Sequence, residues 1–356
     1  MTEFWRNRRV LVTGHTGFKG GWLSLWLAQL GARVTGYALA PSTTPSLFEQ
    51  ARVADSVASR IADVRDLAAL REAVAAADPE VIFHLAAQPL VRASYTEPVE
   101  TYAINVMGTV HVLEAARQAR SLRAIVNITT DKVYDNREWL WGYREVDRLG
   151  GRDPYSNSKA CSELVTEAYR ASFFPPERHA EHGVAVATAR AGNVIGGGDW
   201  AADRIIPDAM RAFLAGAPLI VRNPASVRPW QHVLEPLDGY LRLAERLVTG
   251  GAELGEGWNF GPSDDQVVDV GSLATKLTAA WGRGARWDAL AQTGAPHEAR
   301  LLRLDVSKSR ERLAWRPALD VDTALAWIVE WHQTVERGGD ARQITEQQIA
   351  RYQARR

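Results

Sequence analysis

Short, wholly apolar runs recur through the first half of the chain, with amphipathic stretches between them. Val10-Leu11-Val12 comes first; a glycine-rich turn follows, then Trp22-Leu23-Ser24-Leu25-Trp26-Leu27 in a helical pattern closed by Gly31. That order is strand, tight turn, helix. Arg33 to Leu39 reads as a second strand. Val81 to Ala86 lacks the alternation of a half-exposed strand and predicts an internal one. Ala124 to Thr129 and Val184 to Arg190 are further strands. Helical patterns fall between them, over Leu67–Ala77, Val99–Arg120 and Ser158–Ala171. Strands alternating with helices predict an α/β fold: a doubly wound, Rossmann-type parallel sheet with right-handed crossovers.

The rhythm breaks after about Arg190, where Gly196-Gly197-Gly198 and several prolines cut the chain into short elements. Trp258-Asn259-Phe260-Gly261 reads as a late strand, and Asp322 to Glu336 as a helix with Trp327 and Trp331 one turn apart. Gln343 to Arg356 reads as a polar, marginal surface helix. The pattern predicts a dinucleotide-binding domain over 1–189 with a return segment near 226–256, a smaller mixed substrate domain mainly over 190–337, and a polar tail over 338–356.

Composition narrows the function classes. A chain of 356 residues can bury a sizeable core. Its 42 basic and 42 acidic side chains cancel, which removes any global electrostatic case for nucleic acid or an anionic membrane. No apolar stretch reaches membrane-spanning length, and Met1 to Arg9 has no long apolar segment behind it that would read as a signal peptide. The lone Cys161 rules out an intrachain disulfide, suits a reducing, cytoplasmic setting and reads as a small buried apolar residue. The 13 tryptophans read mostly as packing residues. His84 and His111 read as structural, and no Cys/His spacing or His-Glu-x-x-His points to a metal.

Gly14-His15-Thr16-Gly17-Phe18-Lys19-Gly20 lies between the first predicted strand and helix. Glycines let the backbone approach a ligand closely, and a helix N-terminus favours a pyrophosphate. The spacing alone fits any tight turn; strand before and helix after point to a dinucleotide. Lys19 is followed by Gly20 rather than Ser or Thr, which argues against a P-loop. Tyr37-Ala38-Leu39-Ala40, at the end of the second strand, offers neither an acid for an adenosine ribose nor an arginine for a 2′-phosphate. This stretch therefore leaves NAD and NADP open. Asp63-Val64 is a candidate adenine contact; the other reading of Asp63 is a helix cap before Leu67.

Tyr155 and Lys159 stand one turn apart on one helix face. A tyrosine with a reference pKa of about 10 is a poor base, but a neighbouring lysine and a nicotinamide cation favour its phenolate. Thr130, where an apolar strand stops, could hydrogen-bond the same substrate hydroxyl. Asp131 and Lys132 add proton-handling groups beyond those that plain oxidoreduction needs. Tyr-x-x-x-Lys arises often by chance; its place after an apolar strand, downstream of a glycine loop, favours the catalytic reading.

Together Gly14–Gly20, His84-Leu85-Ala86-Ala87-Gln88, Asn105, Thr130 and Tyr155-x-x-x-Lys159 resemble the extended short-chain dehydrogenase/reductase family, over residues from about 8 to 337. That family includes nucleotide-sugar epimerases and dehydratases. Ala87 to Arg92, Thr130-Asp131-Lys132, Tyr134 to Trp139, Arg190 to Trp200 and Arg228 to Val233 resemble the branch that dehydrates CDP-glucose. The resemblance implies NAD as a recycled cofactor, held by Gly14, Thr16, Gly17, Phe18, Gly20, Asp63, Val64, Leu85, Ala86, Ala87, Asn105, Tyr155 and Lys159. It implies three steps: oxidation at C4 with Tyr155 as base, loss of water across C5 and C6, and hydride return to C6. Asp131 would be the acid at the C6 oxygen, for which burial must raise its pKa. Related dehydratases carry Glu where this chain has Lys132. The C5 base stays open: Lys132 itself, or another group or water with Lys132 stabilising the enolate.

At the nucleotide end, Arg92, Arg204, Arg228 and Arg303 are candidate substrate contacts, guanidinium groups being suited to phosphate. Gln88, Asn193, Asn259 and His297 complete the set. A nucleotide-sugar 4-epimerase would share Tyr155 and Lys159 but needs no acid–base pair at C5 and C6. A noncatalytic NAD-binding scaffold would need neither Tyr155 nor Lys159. The resemblance also implies a homodimer or homotetramer assembled through the Val99–Arg120 and Tyr155–Ala171 helices, and deoxysugar supply for lipopolysaccharide O-antigen.

Overall fold

Seven parallel strands form the central sheet, in the order β11-β6-β5-β4-β1-β2-β3. They are β1 (Arg9–Thr13), β2 (Arg33–Ala38), β3 (Ala58–Ile61), β4 (Val81–His84), β5 (Ala124–Ile128), β6 (Ala185–Ala191) and β11 (Gly257–Phe260). The structure, a computed structural model, describes residues 2–290 and 300–356; His297 lies outside them. Every residue of β4, β5 and β6 is buried, because helices cover both faces of the sheet.

The period of two along each strand sorts the core into two layers. Val10, Val12, Phe83 and Val126 point to one side and pack with Trp22, Leu25 and Leu237. Leu11, Ile82 and Ile125 point to the other and pack with Leu70, Val112 and Leu113. The first side is covered by α1 (Phe18–Gln29), the second by α2 (Leu67–Ala77), α3 (98–116) and α4 (Pro154–Phe173). Asp153 caps α4 by accepting the Ser156 N–H at 2.9 Å, and Pro154 sits at its first position, where no N–H is needed.

The second half adds short paired strands: β7 (Asn193–Ile195) with β10 (Trp230–His232), β8 (Leu219–Val221) with β13 (Trp287–Ala289), and β9 (Val227–Arg228) with β12 (Val268–Asp269). Around them lie α5 (Ile205–Leu214), α7 (Val270–Trp281) and α8 (Val321–Glu336). Between them α6 (Leu234–Val248) returns to the main sheet, packing Leu237 and Leu241 into the first layer.

Two elements differ from the sequence reading. The helix expected as one run over Val99–Arg120 contains a π-turn at Ala103–Met107 and ends at Ala116. The polar C-terminal stretch forms α9 (Ala341–Gln353), and it is anchored rather than marginal: Ile344, Ile349 and Tyr352 are buried. Two of its buried polar side chains bond α8: Thr345 accepts from the Trp331 indole at 2.9 Å, and Gln348 Nε2 donates to the Trp327 carbonyl at 2.8 Å.

Candidate active site

β2 and β3 run off one side of β1, while β4 and the later strands lie on the other. The loops leaving β1 and β4 therefore diverge, and a crevice opens at the carboxyl edge of the sheet. A cleft of about 850 Å³ occupies it and extends under the second half of the chain.

The glycine loop forms one wall. Gly14 has φ +78°, and a Cβ there would lie 2.7 Å from the Ala86 nitrogen. A Cβ on Gly20 would lie 2.0 Å from the Gly14 carbonyl oxygen, so the turn closes only without side chains. Gly17 stands at the N-cap of α1 with no side chain capping it, which leaves first-turn N–H groups facing the cleft. Asp63, Val64, Leu85, Ala86 and Ala87 line the same end. Asp63 is bidentate to Arg65, whose guanidinium holds its carboxyl below the usual range. Asn105, in the π-turn of α3, reaches beneath the wall: its Oδ1 accepts the Gln88 N–H at 2.9 Å and its Nδ2 donates to Ser158 Oγ at 2.9 Å. A loop that admits no Cβ, with unused donors at a helix end, fits a dinucleotide diphosphate.

Thr130, Lys132 and Tyr155 line the middle of the cleft, with Asp131 one hydrogen bond behind Thr130; Lys159, one turn after Tyr155 on α4, is buried off the cleft wall. Thr130 Oγ1 donates to Asp131 Oδ1 at 2.9 Å and shares a hydrogen bond with Tyr155. Lys132 Nζ is 3.6 Å from the same Asp131 oxygen, while Asp131 Oδ2 is buried with no partner among the described residues. Lys159 Nζ donates to the Ile128 carbonyl at 3.0 Å. Burial pushes Tyr155 up to about 12, against the pull of the Thr130 hydrogen bond, and pushes Lys159 down to about 8. Deeper still, Glu163 of α4 accepts both Arg190 Nε and Nη2 at 2.9 Å and the hydroxyls of Thr129 and Thr188. That fully enclosed network pins α4 to β5 and β6, and so fixes Lys159 and Thr130 relative to each other.

The far end is arginine-rich. Arg92, Arg204 and Arg228 line it together with Asn193, whose Oδ1 is buried with no partner among the described residues. Arg204 is paired with Asp199 at 3.0 Å. Arg92 and Arg222 both approach Asp203 Oδ1, at 3.7 and 2.7 Å. Three of the substrate candidates lie off the cleft wall. Gln88 folds back on its own loop, bonding the Leu90 N–H, the Leu90 carbonyl and Thr101. Asn259 is buried and bonds Tyr134, Tyr143 and Asp305. Arg303 is not among the lining residues. Lys19, Asp199, Asp203 and Arg222 are cleft residues that the sequence reading did not single out as contacts. Their signal was weak, because a charged residue in an irregular segment reads as surface. Among the described residues no group of His, Cys, Asp or Glu could hold a metal, and no helix is long and apolar enough to cross a membrane.

The family model for GDP-mannose 4,6-dehydratase matches residues 11–327. A CDP-glucose 4,6-dehydratase of Salmonella typhimurium is 54% identical over 350 residues, covering 98% of this chain and 97% of that protein. A dTDP-glucose 4,6-dehydratase of Xanthomonas campestris is 27% identical, covering 91% of this chain and 93% of that protein. Among solved structures, UDP-glucose 4-epimerase of Thermotoga maritima with UDP-glucose superposes with a TM-score of 0.78 at 19% identity, over 92% of this chain and 99% of that one. The dTDP-glucose 4,6-dehydratase of Bacillus anthracis in complex with NAD gives 0.76 at 20%, over 93% and 98%. At those identities the structures establish a shared Rossmann-type fold.

Proposed function

The chain belongs to the GDP-mannose 4,6-dehydratase family, and from that premise we propose that it converts CDP-glucose to CDP-4-keto-6-deoxyglucose. The observation that carries the substrate is the 54% identity, spread over 98% of the chain, to a CDP-glucose 4,6-dehydratase. Against a 4-epimerase stands Asp131, a buried carboxyl beside the Thr130–Tyr155 pair, with one oxygen that has no partner among the described residues. Epimerisation has no step that asks for it.

NAD, when bound, would supply a hydride acceptor for C4, a hydride donor for C6, and a positive charge. The glycine loop, Asp63, Val64, Leu85, Ala86 and Ala87 would hold it, with Asn105 bracing the loop from behind. NAD is supported by the similarly folded dTDP-glucose 4,6-dehydratase of Bacillus anthracis, solved in complex with NAD.

Tyr155 and Thr130 grip the 4-hydroxyl, and the tyrosine takes its proton. A ketone at C4 acidifies the C5 proton, so the next bond to break is C5–H. Asp131, one hydrogen bond behind Thr130, is the proton source for the departing C6 oxygen. Arg92, Arg204 and Arg228 suit the diphosphate, and Asn193 lies among them. Val99 and Met107 on α3 and Leu164 on α4 are exposed apolar side chains, which supports a homodimer or homotetramer built through these helices. A cytoplasmic setting follows from the resemblance. Incubation with CDP-glucose, UDP-glucose, GDP-mannose and dTDP-glucose, followed by the alkaline ultraviolet chromophore of 4-keto sugars, tests the reading. CDP-glucose gives the strongest signal; no 4-keto product from any of the four refutes it.

A further inference from the structure

Lys19 occupies the second position of α1 and lines the cleft with Thr130, Tyr155 and Arg204. Fold stability gives no reason for a lysine there. A cation in the first turn opposes the helix dipole, at roughly 0.3–1 kcal/mol. The residue is half-buried, and among the described residues nothing hydrogen-bonds its Nζ. The charged groups around it come from four other segments: Lys159 on α4 and Arg204 before α5 oppose its charge, Asp131 after β5 and Asp199 after β7 favour it. Burial, then Lys159 and Arg204, bring Lys19 down to about 7, so near neutral pH much of it is the unprotonated amine. Lys132, by contrast, has its nitrogen turned to Asp131 Oδ1 at 3.6 Å.

We propose that Lys19 is a further catalytic residue, the acceptor of the substrate's C5 proton, an assignment that rests on the dehydratase reading above. The amine takes the proton, and the C5–H electron pair becomes the C5=C6 double bond. The C6–O bond breaks with its pair on oxygen, which receives the Asp131 carboxyl proton and leaves as water. One proton enters the cleft residues from C5 and one leaves them with the C6 oxygen, so the net charge of the site is unchanged. The ammonium returns its proton to C5 when C6 receives hydride. The proton that Tyr155 took from the 4-hydroxyl passes through Thr130, hydrogen-bonded to both, and resets Asp131.

The test uses the full chain with NAD and CDP-glucose, and the variants Lys19→Met and Lys19→Arg. Both are tested at saturating NAD and are expected to show NADH absorbance on mixing. Both should lose C5 deuterium exchange in D₂O and 4-keto-6-deoxy product by at least about 100-fold. Arginine keeps the charge but cannot shed it, so it would rescue a structural role and not a basic one. Independently of folding in the variants, pulsed acylation of the wild-type protein across pH, read by mass spectrometry of the Lys19 peptide, should titrate near 7. Wild-type turnover with Lys19→Met within about threefold of it overturns the assignment alone. So does titration above about 9, rescue by arginine, or loss of NAD binding as the main defect. If wild type forms no 4-keto product, both readings fall.

Discussion

Tyr155 and Asp131 sit on the same threonine, yet the chemistry separates them. Tyr155→Phe removes the base for the first step, so NADH should not form on mixing with substrate. A drop of about 10²–10⁴ in rate, followed by stopped-flow absorbance, is the expected outcome. Asp131→Asn keeps the Thr130 hydrogen bond but has no proton to give at C6. NADH should still form, C5 should still exchange with solvent deuterium, and water loss should slow by a similar factor. Normal dehydration by Asp131→Asn would remove its role as acid. At this scale the sequence was most legible where motif and neighbourhood agreed: Thr130, Lys132 and Tyr155 share one cleft wall, with Asp131 hydrogen-bonded to Thr130 and Lys159 buried on the Ile128 carbonyl. It misled for Asn259, whose polarity is consumed by Tyr134, Tyr143 and Asp305, partners more than 40 residues away in the chain. No spacing rule announces such a buried contact.

Among the elements, the β1–α1 turn is the least forgiving. Gly20→Ala would place a Cβ 2.0 Å from the Gly14 carbonyl, and backbone rather than a flexible side chain must give way. Overpacking of that kind costs about 1–3 kcal/mol. If the loop opens to relieve it, NAD affinity should fall roughly ten- to a hundredfold, since about 1.4 kcal/mol is a decade. Tryptophan fluorescence titration measures that directly; unchanged affinity would mean that the loop does not cradle the cofactor. The strands and helices of the first half were legible because wholly apolar runs mark internal strands. The π-turn of α3 was not, because its reason is one side chain: Asn105 braces Gln88 and Ser158 from inside the helix. Nor was the anchoring of α9, where Thr345 and Gln348 occupy buried positions that a hydrophobicity pattern scores as surface.

For the whole molecule, buried histidines set the pH response. His84, His232 and His332 are enclosed, and burial holds each down to about 3. Their contribution is fully present above the unfolded value near 6.5 and is lost as pH falls toward 3, because the unfolded chain takes up protons that the folded one refuses. Each loses roughly 1.4 kcal/mol for every unit below about 6. Glu235, pushed up to about 7 by burial, acts in the opposite direction, gaining stability as pH falls from about 7 to 4.5. Burial also raises Glu145 and Asp238, and it holds His15 down to about 4 beside the other three histidines. The four imidazoles titrate from the unfolded side across this window, so urea midpoints should drop between pH 6 and 5, and His232→Phe should shallow that slope. A flat midpoint over this range would contradict the burial account. The central claim, that one cofactor moves a hydrogen from C4 to C6 around an elimination, is tested most directly with CDP-glucose deuterated at C4. Mass spectrometry and NMR should find the label on C6 of a 4-keto-6-deoxy product, with no net NADH. Label retained at C4 in an epimerised sugar, or lost to solvent, would contradict it.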